Sequence, residues 1–430
     1  MAVGSVASQV IRVILAAVTG VLIARTLQPE GRGVYAVIAT TAATAIAVGH
    51  LSMEKTQIAL WANSSRHRLL TTNGLILGLI LGSVSALVTL AVIAGSGASV
   101  TLSLLALALL AAPFGVAAIN LQGILLLQSR MGTVNRFGVV SALTQCLPLL
   151  FLVVTGHVTV TGVIVCWAAS TVVPFVLSIR ALWPISLRWE GGLLRRQLGM
   201  ASKYHIGLVA YHLLLTVDVL LLNALHSAAE VGIYTVAVTV LSLMRIPAEA
   251  ITQLALPRQA TGDTRDAEQV TARTLRLNLL LSSAFIGVLA AVSPWLVPLV
   301  YGLSFAGSVA PLLGLAPGMI ALTLVRPAEQ YLVRLGQPIG MVSIAVAALS
   351  ANVLLNLLMI PRWGAVGAAL ASTAAYILMT SLELTWFARS AGIPVSALLP
   401  RTAEIRSVLG PLKHSGAITR LRRRAPRKSG

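Results

Sequence analysis

The sequence predicts an all-α polytopic membrane protein with about 12 transmembrane helices in two six-helix bundles. Long apolar stretches fill almost the whole of the 430 residues, and nearly every Lys and Arg falls in alternate gaps between them. Most stretches reach the roughly 20 residues that cross a bilayer core about 30 Å thick. The predicted spans are 9–27, 34–61, 72–94, 100–127, 138–155, 160–182, 203–224, 231–255, 275–300, 308–333, 340–360 and 364–388.

The distribution of positive charge orients these spans. With the first short segment in the cytoplasm, 24 of the 31 Lys and Arg fall in the even-numbered loops and the tail, against 3 in the opposite loops and 4 inside spans. Because positive residues accumulate on the cytoplasmic side, both termini are predicted to be cytoplasmic.

The composition excludes a water-soluble globule, whose charged fraction is about 25%. The hydrophobic fraction is 57%, the mean hydropathy is +0.90 and there are only 12 acidic residues. The net charge of +19 is spread over loops and a tail, where it favours anionic lipids, so we expect no nucleic-acid partner.

The predicted spans divide six and six. Residues 1–182 form a first bundle, 183–202 a cytoplasmic linker, 203–388 a second bundle and 389–430 a basic tail. Since six is even, the second half re-enters the membrane in the same orientation, which predicts a parallel repeat around an axis along the membrane normal.

An ungapped offset of 199 residues supports the repeat. It sets Gly33 and Tyr35 over Gly232 and Tyr234, each pair where the second span of its half begins. We interpret the glycines as allowing strained dihedrals in a tight turn, and the tyrosines as members of an interfacial aromatic belt. The alternative is a chance match between hydrophobic helices.

The tail 401–430 contains nine Lys or Arg against one Glu and has no periodic apolar face. It is predicted to be disordered and adsorbed on the anionic inner leaflet. Docking of a cytoplasmic partner is the alternative.

Ionisable side chains within spans by default mark a pathway or a binding cavity. Those in this chain are Arg12, Glu54, Lys55, His205, His212, Asp218, Arg245, Glu249, Arg326, Glu329 and Glu383. A substrate cavity open to the cytoplasm is assigned to Arg12, Glu54, Lys55, Arg245 and Glu249. Snorkelling of these side chains to the interface is the alternative for those near helix ends.

Two charge pairs suggest a gate. Arg245 and Glu249 are four residues apart and Arg326 and Glu329 three apart, so each pair shares a helix face and can neutralise itself. Pro247 lies within the first pair, and a proline permits a helix to bend during transport, although a static kink is equally consistent. Arg326, Glu329 and Pro247 are therefore the gate candidates.

Asp218 lies deeper in its span, six residues from His212. A carboxyl group that can be protonated in mid-membrane suits ion or proton coupling, so both residues are coupling candidates; a structural, hydrogen-bonded Asp is the alternative.

No enzyme constellation is present in the sequence. There is no Gly-rich phosphate loop before a Lys, no histidine pair at metal spacing and no Gly-x-Ser-x-Gly. Cys146 and Cys166 lie in adjacent spans and are interpreted as small buried hydrophobes. We expect a non-enzyme without metal or cofactor.

Three stretches resemble a known family. Residues 23–36 (IARTLQPEGRGVYA), residues 218–222 followed by 232–234, and residues 360–372 (IPRWGAVGAALAS) are similar to the bacterial polysaccharide-biosynthesis membrane proteins, the O-antigen and exopolysaccharide flippases. In the last stretch Gly364 and Gly367 allow a helix to start close against a neighbour.

The resemblance implies the fold of the multidrug, oligosaccharidyl-lipid and polysaccharide exporter superfamily, with two bundles that alternate access around a central cavity. It also implies a bacterial plasma-membrane location and a polyprenyl-pyrophosphate-linked oligosaccharide carried from the inner to the outer leaflet. A polysaccharide polymerase or glycosyltransferases are candidate partners.

Three other functions stay open at this point. A multidrug or cation antiporter of the same superfamily is expected to have an acidic rather than a basic cavity. A lipid-linked peptidoglycan precursor flippase often carries two further helices. In a non-transporting scaffold for glycosyltransferases, the basic tail would be the working part.

Overall fold

The computed structural model describes residues 2–62, 66–96, 100–185, 190–243, 245–261, 263–334 and 338–400, so the predictions for the tail 401–430 lie outside the described residues. Every regular element in these ranges is helical. The α-helices are α1 (Ala2–Gly49), α2 (Met53–Leu60), α3 (His67–Gly95), α4 (Leu102–Leu109), α5 (Ala112–Leu127), α6 (Met131–Val154), α7 (Val160–Leu182), α8 (Gly191–Leu214), α9 (Val217–Leu225), α10 (Ala228–Leu243), α11 (Ile246–Thr261), α12 (Thr264–Tyr301), α13 (Val309–Arg334) and α14 (Pro338–Ser390). Short 3₁₀ helices cover Leu303–Ser308 and Val395–Leu398.

The described helices include 8 that are long and apolar enough to cross a membrane, or up to 10 when two bent pairs each count as one span. The bent pairs are α8 with α9, at 50°, and α10 with α11, at 42°. The prediction of an all-helical, multi-pass membrane protein is confirmed at this level.

The first long helix, α1, is a hairpin. Gln28 leaves the helical region with φ 58° and ψ 178°, just before Pro29. Nη1 of Arg32 donates a hydrogen bond of 2.7 Å to the carbonyl of Gly20. Along a straight helix, twelve residues span about 18 Å, beyond the reach of an arginine side chain. The chain therefore folds back at Gln28.

The last long helix, α14, reverses in the same way at Gly364, which has φ 51° and ψ −129°. Nδ2 of Asn352 lies 3.3 Å from Oγ of Ser372, although twenty residues of straight helix span about 30 Å. The carboxylate of Glu230 accepts a 2.7 Å hydrogen bond from the backbone N–H of Ala365. It thus satisfies an N–H that the restarting helix leaves without an intrahelical partner.

The buried apolar side chains form separate clusters in the two halves. The largest unites α9, α10, α12, α13 and α14, with contributions from α1 and α8. A second joins α1, α3, α4, α5 and α7. Cys146 and Cys166 are both buried, which agrees with their interpretation as small hydrophobes. Large apolar side chains such as Phe151 and Trp295 are 67% and 73% exposed, as expected of residues that face lipid.

Two prolines inside these helices leave carbonyls that other helices satisfy. Pro327 has no N–H to donate to the carbonyl of Thr323, and Nδ2 of Asn278 donates to that carbonyl instead, at 3.1 Å. Pro174 likewise leaves the Ser170 carbonyl, which accepts a 2.8 Å hydrogen bond from another helix. Such partners are needed because a membrane core supplies no water.

The predicted linker contains the start of a helix. The seventh span was expected to begin at residue 203, whereas α8 begins at Gly191. Leu193, Gln197 and Ala201 are buried, and Oε1 of Gln197 accepts a 2.8 Å hydrogen bond from Asn73 of α3. One face of residues 191–202 therefore packs onto the first half of the protein.

Asn278 gives a test of the proline network. Its Nδ2 also lies 3.0 Å from Oγ1 of Thr252, so Asn278→Leu leaves two buried acceptors without their donor. We expect a loss of about 1–3 kcal/mol of stability, measured as a lower Tm in detergent. Adding Pro327→Ala restores an N–H for the Thr323 carbonyl and should recover part of that loss. An equal Tm for the single and double variants would contradict this account.

Candidate functional site

The two halves meet backbone to backbone at a pair of glycines. A Cβ atom on Gly33 of α1 would lie 1.7 Å from the carbonyl oxygen of Ala228, and a Cβ on Gly232 of α10 would lie 1.9 Å from the carbonyl oxygen of Pro29. No side chain fits at either position. We call these four residues the glycine contact.

The glycine contact is reciprocal under the sequence repeat. The 199-residue offset carries Pro29 onto Ala228 and Gly33 onto Gly232, so each half presents the same surface to the other, as a twofold axis requires. The prediction that these glycines adopt strained turn dihedrals is wrong. Both lie inside helices and neither has a positive φ. The repeat signal reflects close helix packing instead.

One tyrosine of the repeat also differs from the prediction. Tyr234 is fully buried and donates a hydrogen bond to Asp218, so its assignment to an aromatic belt is wrong. Tyr35 is half-buried and accepts a 3.2 Å hydrogen bond from Gln145. For Tyr234 the buried carboxylate outweighs the interfacial preference of the phenol, whereas the interfacial position of Tyr35 stays a prediction.

Two arginines from the turn of α1 reinforce the contact between halves. Nε of Arg25 donates at 2.8 Å to the carbonyl of Val300, at the C-terminal end of α12, where a cation is favoured. Arg32 is only 6% exposed. Its Nη2 lies 3.3 Å from Oγ1 of Thr239 and its guanidinium lies 5.8 Å from the ring centroid of Tyr301. Sequence reasoning treated both arginines as loop charges and missed them.

Asp218 lies at the centre of a buried polar cluster. The residue is 1% exposed. One carboxylate oxygen accepts hydrogen bonds from Tyr234 and, at 3.0 Å, from Ser372, while the other accepts from the Val219 N–H at 2.8 Å. Asn352 extends the cluster by donating to Ser372 at 3.3 Å. One carboxylate is thus surrounded by hydroxyl and amide groups.

Asn356 adds an oxygen to this cluster. Its Nδ2 donates to the backbone carbonyl and to Oδ1 of Asn352, at 2.9 and 3.0 Å. Its own Oδ1 is buried and has no hydrogen-bond partner among the described residues. A single carboxylate with neutral oxygens can bind a proton or a cation with a preference for oxygen ligands. No group of three or more His, Cys, Asp and Glu arranged for a metal occurs within the described ranges.

The structure separates His212 from Asp218. His212 lies at the end of α8 and Asp218 at the start of α9, on opposite sides of the 50° bend. Nε2 of His212 lies 3.2 Å from Oγ1 of Thr44 in α1. His212 therefore links the two halves, and none of its contacts among the described residues joins it to the Asp218 cluster.

A narrow cleft between α11 and α13 brings together several predicted charges. Arg245, Glu249 and Arg326 line it, with Thr252 and Thr323 on its walls. Nη2 of Arg245 lies 3.3 Å from Oε1 of Glu249, as their spacing predicted. The water-sized space is about 10 Å³, which is roughly one water molecule. We call it the inner cleft.

Charges from the first half lie close to this region. Glu54 of α2 pairs with His50, one turn earlier. Lys55 and Arg326 both interact electrostatically with Glu329 of α13. Lys55 of the first half therefore acts on a carboxylate that lies three residues after Arg326 of the inner cleft.

The remaining candidates have separate locations. Arg12 is exposed and its side chain lies along Gly138 of α6, where the described contacts do not join it to the other cavity candidates. Pro247 lies in the first turn of α11, directly after the 42° bend. Glu383 is 2% exposed and interacts electrostatically with Glu329.

Solved transporter structures share this arrangement of helices. The lipid II flippase MurJ in an inward-closed conformation superposes with a TM-score of 0.76 at 14% identity, covering 99% of this chain and 94% of that one. A multidrug resistance MATE family transporter of the MOP superfamily, inward-facing, gives 0.70 at 15% identity over 90% and 95%. A MOP superfamily transporter from Pyrococcus furiosus with a binding pocket of reversed polarity gives 0.63 at 14% identity over 92% and 94%.

These likenesses show that the chain has the same fold as these transporter structures. The chain belongs to the polysaccharide biosynthesis protein family, whose match covers residues 3–260, more than half of its length. The predicted family is thereby confirmed, and the stretch 360–372 lies outside the matched residues. No curated sequence matches the chain.

The glycine contact can be tested by adding one methyl group. Gly33→Ala places a carbon 1.7 Å from the Ala228 oxygen, where a normal C···O separation is about 3.3 Å. The helices must therefore separate. Spin labels at Glu30 and Ser227, measured by pulsed electron resonance, should show a longer distance population than the unsubstituted protein. Gly287→Ala is the matched control, because no atom lies within 4 Å of its Cβ. Identical distances in Gly33→Ala would refute the contact.

Proposed function

We propose that this protein is a flippase that moves a polyprenyl-pyrophosphate-linked oligosaccharide from the inner to the outer leaflet for cell-surface polysaccharide synthesis. The observation that carries the proposal is the inner cleft, which Arg245 and Arg326 both line, while Lys55 of the first half acts electrostatically on Glu329, three residues after Arg326. Guanidinium groups bind phosphate oxygens strongly. Family membership supplies the polysaccharide context.

The proposed topology has 12 crossings, with both termini in the cytoplasm of a bacterium. Hairpins at Gln28 and Gly364 divide α1 and α14 into two crossings each, and the bent pairs α8–α9 and α10–α11 count as one each. The loop cations support the cytoplasmic placement of the inner cleft. Two six-helix bundles, 1–182 and 203–388, then move against each other.

The proposed cycle is alternating access. The glycine contact, with Arg25 and Arg32, closes the end opposite the inner cleft. The inner cleft, which has room for about one water, is itself too narrow for a diphosphate. The bundles must therefore part at the cytoplasmic face to admit substrate, and the glycine contact must break to release it outward.

The Asp218 cluster is the proposed coupling site. Its buried carboxylate and the free Oδ1 of Asn356 suit the binding of a proton or a monovalent cation. Because Tyr234 donates to Asp218 from α10, the helix that carries Gly232, occupancy of the cluster bears on the contact between halves. His212 is assigned to the interface of the halves rather than to coupling.

One observation favours a multidrug or cation antiporter as the second candidate. Asp218 and Glu383 are both buried acids, 1% and 2% exposed, and buried acids can attract a cationic substrate. The arginines of the inner cleft argue against this alternative, since they repel cations.

Depletion of the protein in its host tests the proposed substrate. We expect the polyprenyl-linked saccharide to accumulate on the cytoplasmic face of the plasma membrane. Re-expression of the unsubstituted protein should restore export, whereas Arg245→Gln with Arg326→Gln should reduce it at least tenfold, because two phosphate ligands are lost. Arg195→Gln with Arg196→Gln is the matched control, as both residues are exposed on α8.

Normal appearance of the saccharide on the outer face after depletion would overturn the flippase proposal and favour the antiporter or a scaffold. Full export by the Arg245 and Arg326 variant, at equal expression, would remove the inner cleft from the substrate path.

Asp218→Asn tests the coupling site. The change keeps the size of the side chain but removes its charge, so we expect transport in proteoliposomes to lose its dependence on an imposed proton or sodium gradient. Asn223→Asp, which introduces the reverse change elsewhere on α9, serves as the control. Gradient-dependent transport by Asp218→Asn at the unsubstituted rate would assign Asp218 a structural role.

A further inference from the structure

A second cleft lies apart from the proposed transport path, at the N-terminal end of α12. It has a volume of about 570 Å³ and is bounded by α12 and by the segment that follows α14. Its lining residues are Arg265, Glu268, Gln269, Ala272, Arg273, Arg276, Ile393 and Ala397. None of the functional roles proposed above involves it.

The residues from α12 occupy one face. Arg265, Gln269, Arg273 and Arg276 follow one another at spacings of three or four residues, so they line a single helical stripe. Arg265 and Arg273 are exposed, whereas Arg276 is 9% exposed and donates at 2.9 Å to the carbonyl of Ala397. Arg276 thus binds the wall formed by the segment after α14, and the guanidinium groups of Arg265 and Arg273 lie at the opening of the cleft.

The charge balance of the lining favours an anion. Three arginines face one carboxylate, and that carboxylate, Glu268, accepts a 3.1 Å hydrogen bond from the hydroxyl of Tyr331. Asp263 and Asp266 lie beyond the lining, in the first turn of the helix, where the Asp263 side chain caps the Asp266 N–H at 2.8 Å.

The length of α12 sets the depth of this cleft. Its 38 residues span about 57 Å, far more than a hydrocarbon core of about 30 Å. The part of α12 that extends beyond the hydrocarbon core is its charged N-terminal end, because the C-terminal end carries Trp295 and Leu299, which are apolar and exposed as expected of residues that face lipid. This extension therefore places the cleft outside the hydrocarbon core, with Arg276 beside the lipid headgroups, and the apolar Ala272 and Ile393 provide a surface for the glycerol region of a lipid.

We propose that this cleft binds the phosphate of an anionic phospholipid of the adjacent leaflet. Arg265 and Arg273 contact the phosphate oxygens, and Gln269, between them, donates to the headgroup. The site orders the surface of the second half of the protein against the membrane at a position distinct from the inner cleft. It does not depend on the identity of the transported substrate.

Native mass spectrometry of the full-length protein in detergent tests the site. The probe is phosphatidylglycerol titrated against phosphatidylcholine. Loss of two guanidinium contacts, each worth about 1 kcal/mol, predicts roughly 30-fold weaker phosphatidylglycerol binding in Arg265→Gln with Arg273→Gln. Arg195→Gln with Arg196→Gln, the same charge change on exposed residues of α8, should bind like the unsubstituted protein.

An equal loss of phosphatidylglycerol binding in both double variants would show an effect of overall charge alone and would overturn the site. Undiminished phosphatidylglycerol binding by the Arg265 and Arg273 variant would also overturn it. Displacement of the lipid by millimolar inorganic phosphate would assign the cleft to a soluble anion instead. If the double variant fails to fold, Gln269→Glu places a negative charge in the cleft by one exposed substitution and should also weaken phosphatidylglycerol binding. Full binding by Gln269→Glu would contradict the proposal.

Discussion

A membrane core supplies no water to a buried polar group, and the fold depends on meeting this constraint. Several irregular points in the helices have a polar partner from another part of the structure. Asn278 bonds the carbonyl that Pro327 leaves unpaired, and Glu230 bonds the N–H where α14 restarts. Arg25 bonds the last carbonyls of α12 from the other half of the protein. At these points another helix satisfies the backbone, and the contacts constrain how the helices are arranged.

Much of the fold could be predicted because hydropathy and loop charge are local properties of the sequence. The apolar stretches located the helices, and the 199-residue offset located the residues where the halves meet. The role of those residues could not be predicted. A glycine in a turn and a glycine at a helix crossing give the same sequence signal, and only the packing of Gly33 on Ala228 distinguishes them. The start of α8 at Gly191 was missed because its buried face lies against α3, outside the segment itself.

For a related reason, the sequence predicted only in part which of the charged candidate residues lie together. The spacing of Arg245 and Glu249 determines that they meet on one helix, and they do. Which distant residues share a cleft depends on tertiary packing, so the sequence grouped Arg12 with side chains from which the described contacts separate it. His212 and Asp218 are six residues apart, yet a bend between them directs one to Thr44 and the other to Ser372. Arg32 was read as a loop charge because nothing local indicates its burial.

Helix α10 carries Gly232, Tyr234 and Thr239 within two turns. These residues touch Pro29, Asp218 and Arg32 respectively, so one rigid element contacts the opposite half and the buried carboxylate together. Thermodynamic linkage then constrains any cycle in which α10 moves as a unit. If a bound cation changes the equilibrium constant for opening the two halves by some factor, then opening must change the affinity for the cation by the same factor. Because these residues lie within two turns of one helix, ion binding would influence outward opening and outward opening would influence ion binding to the same extent.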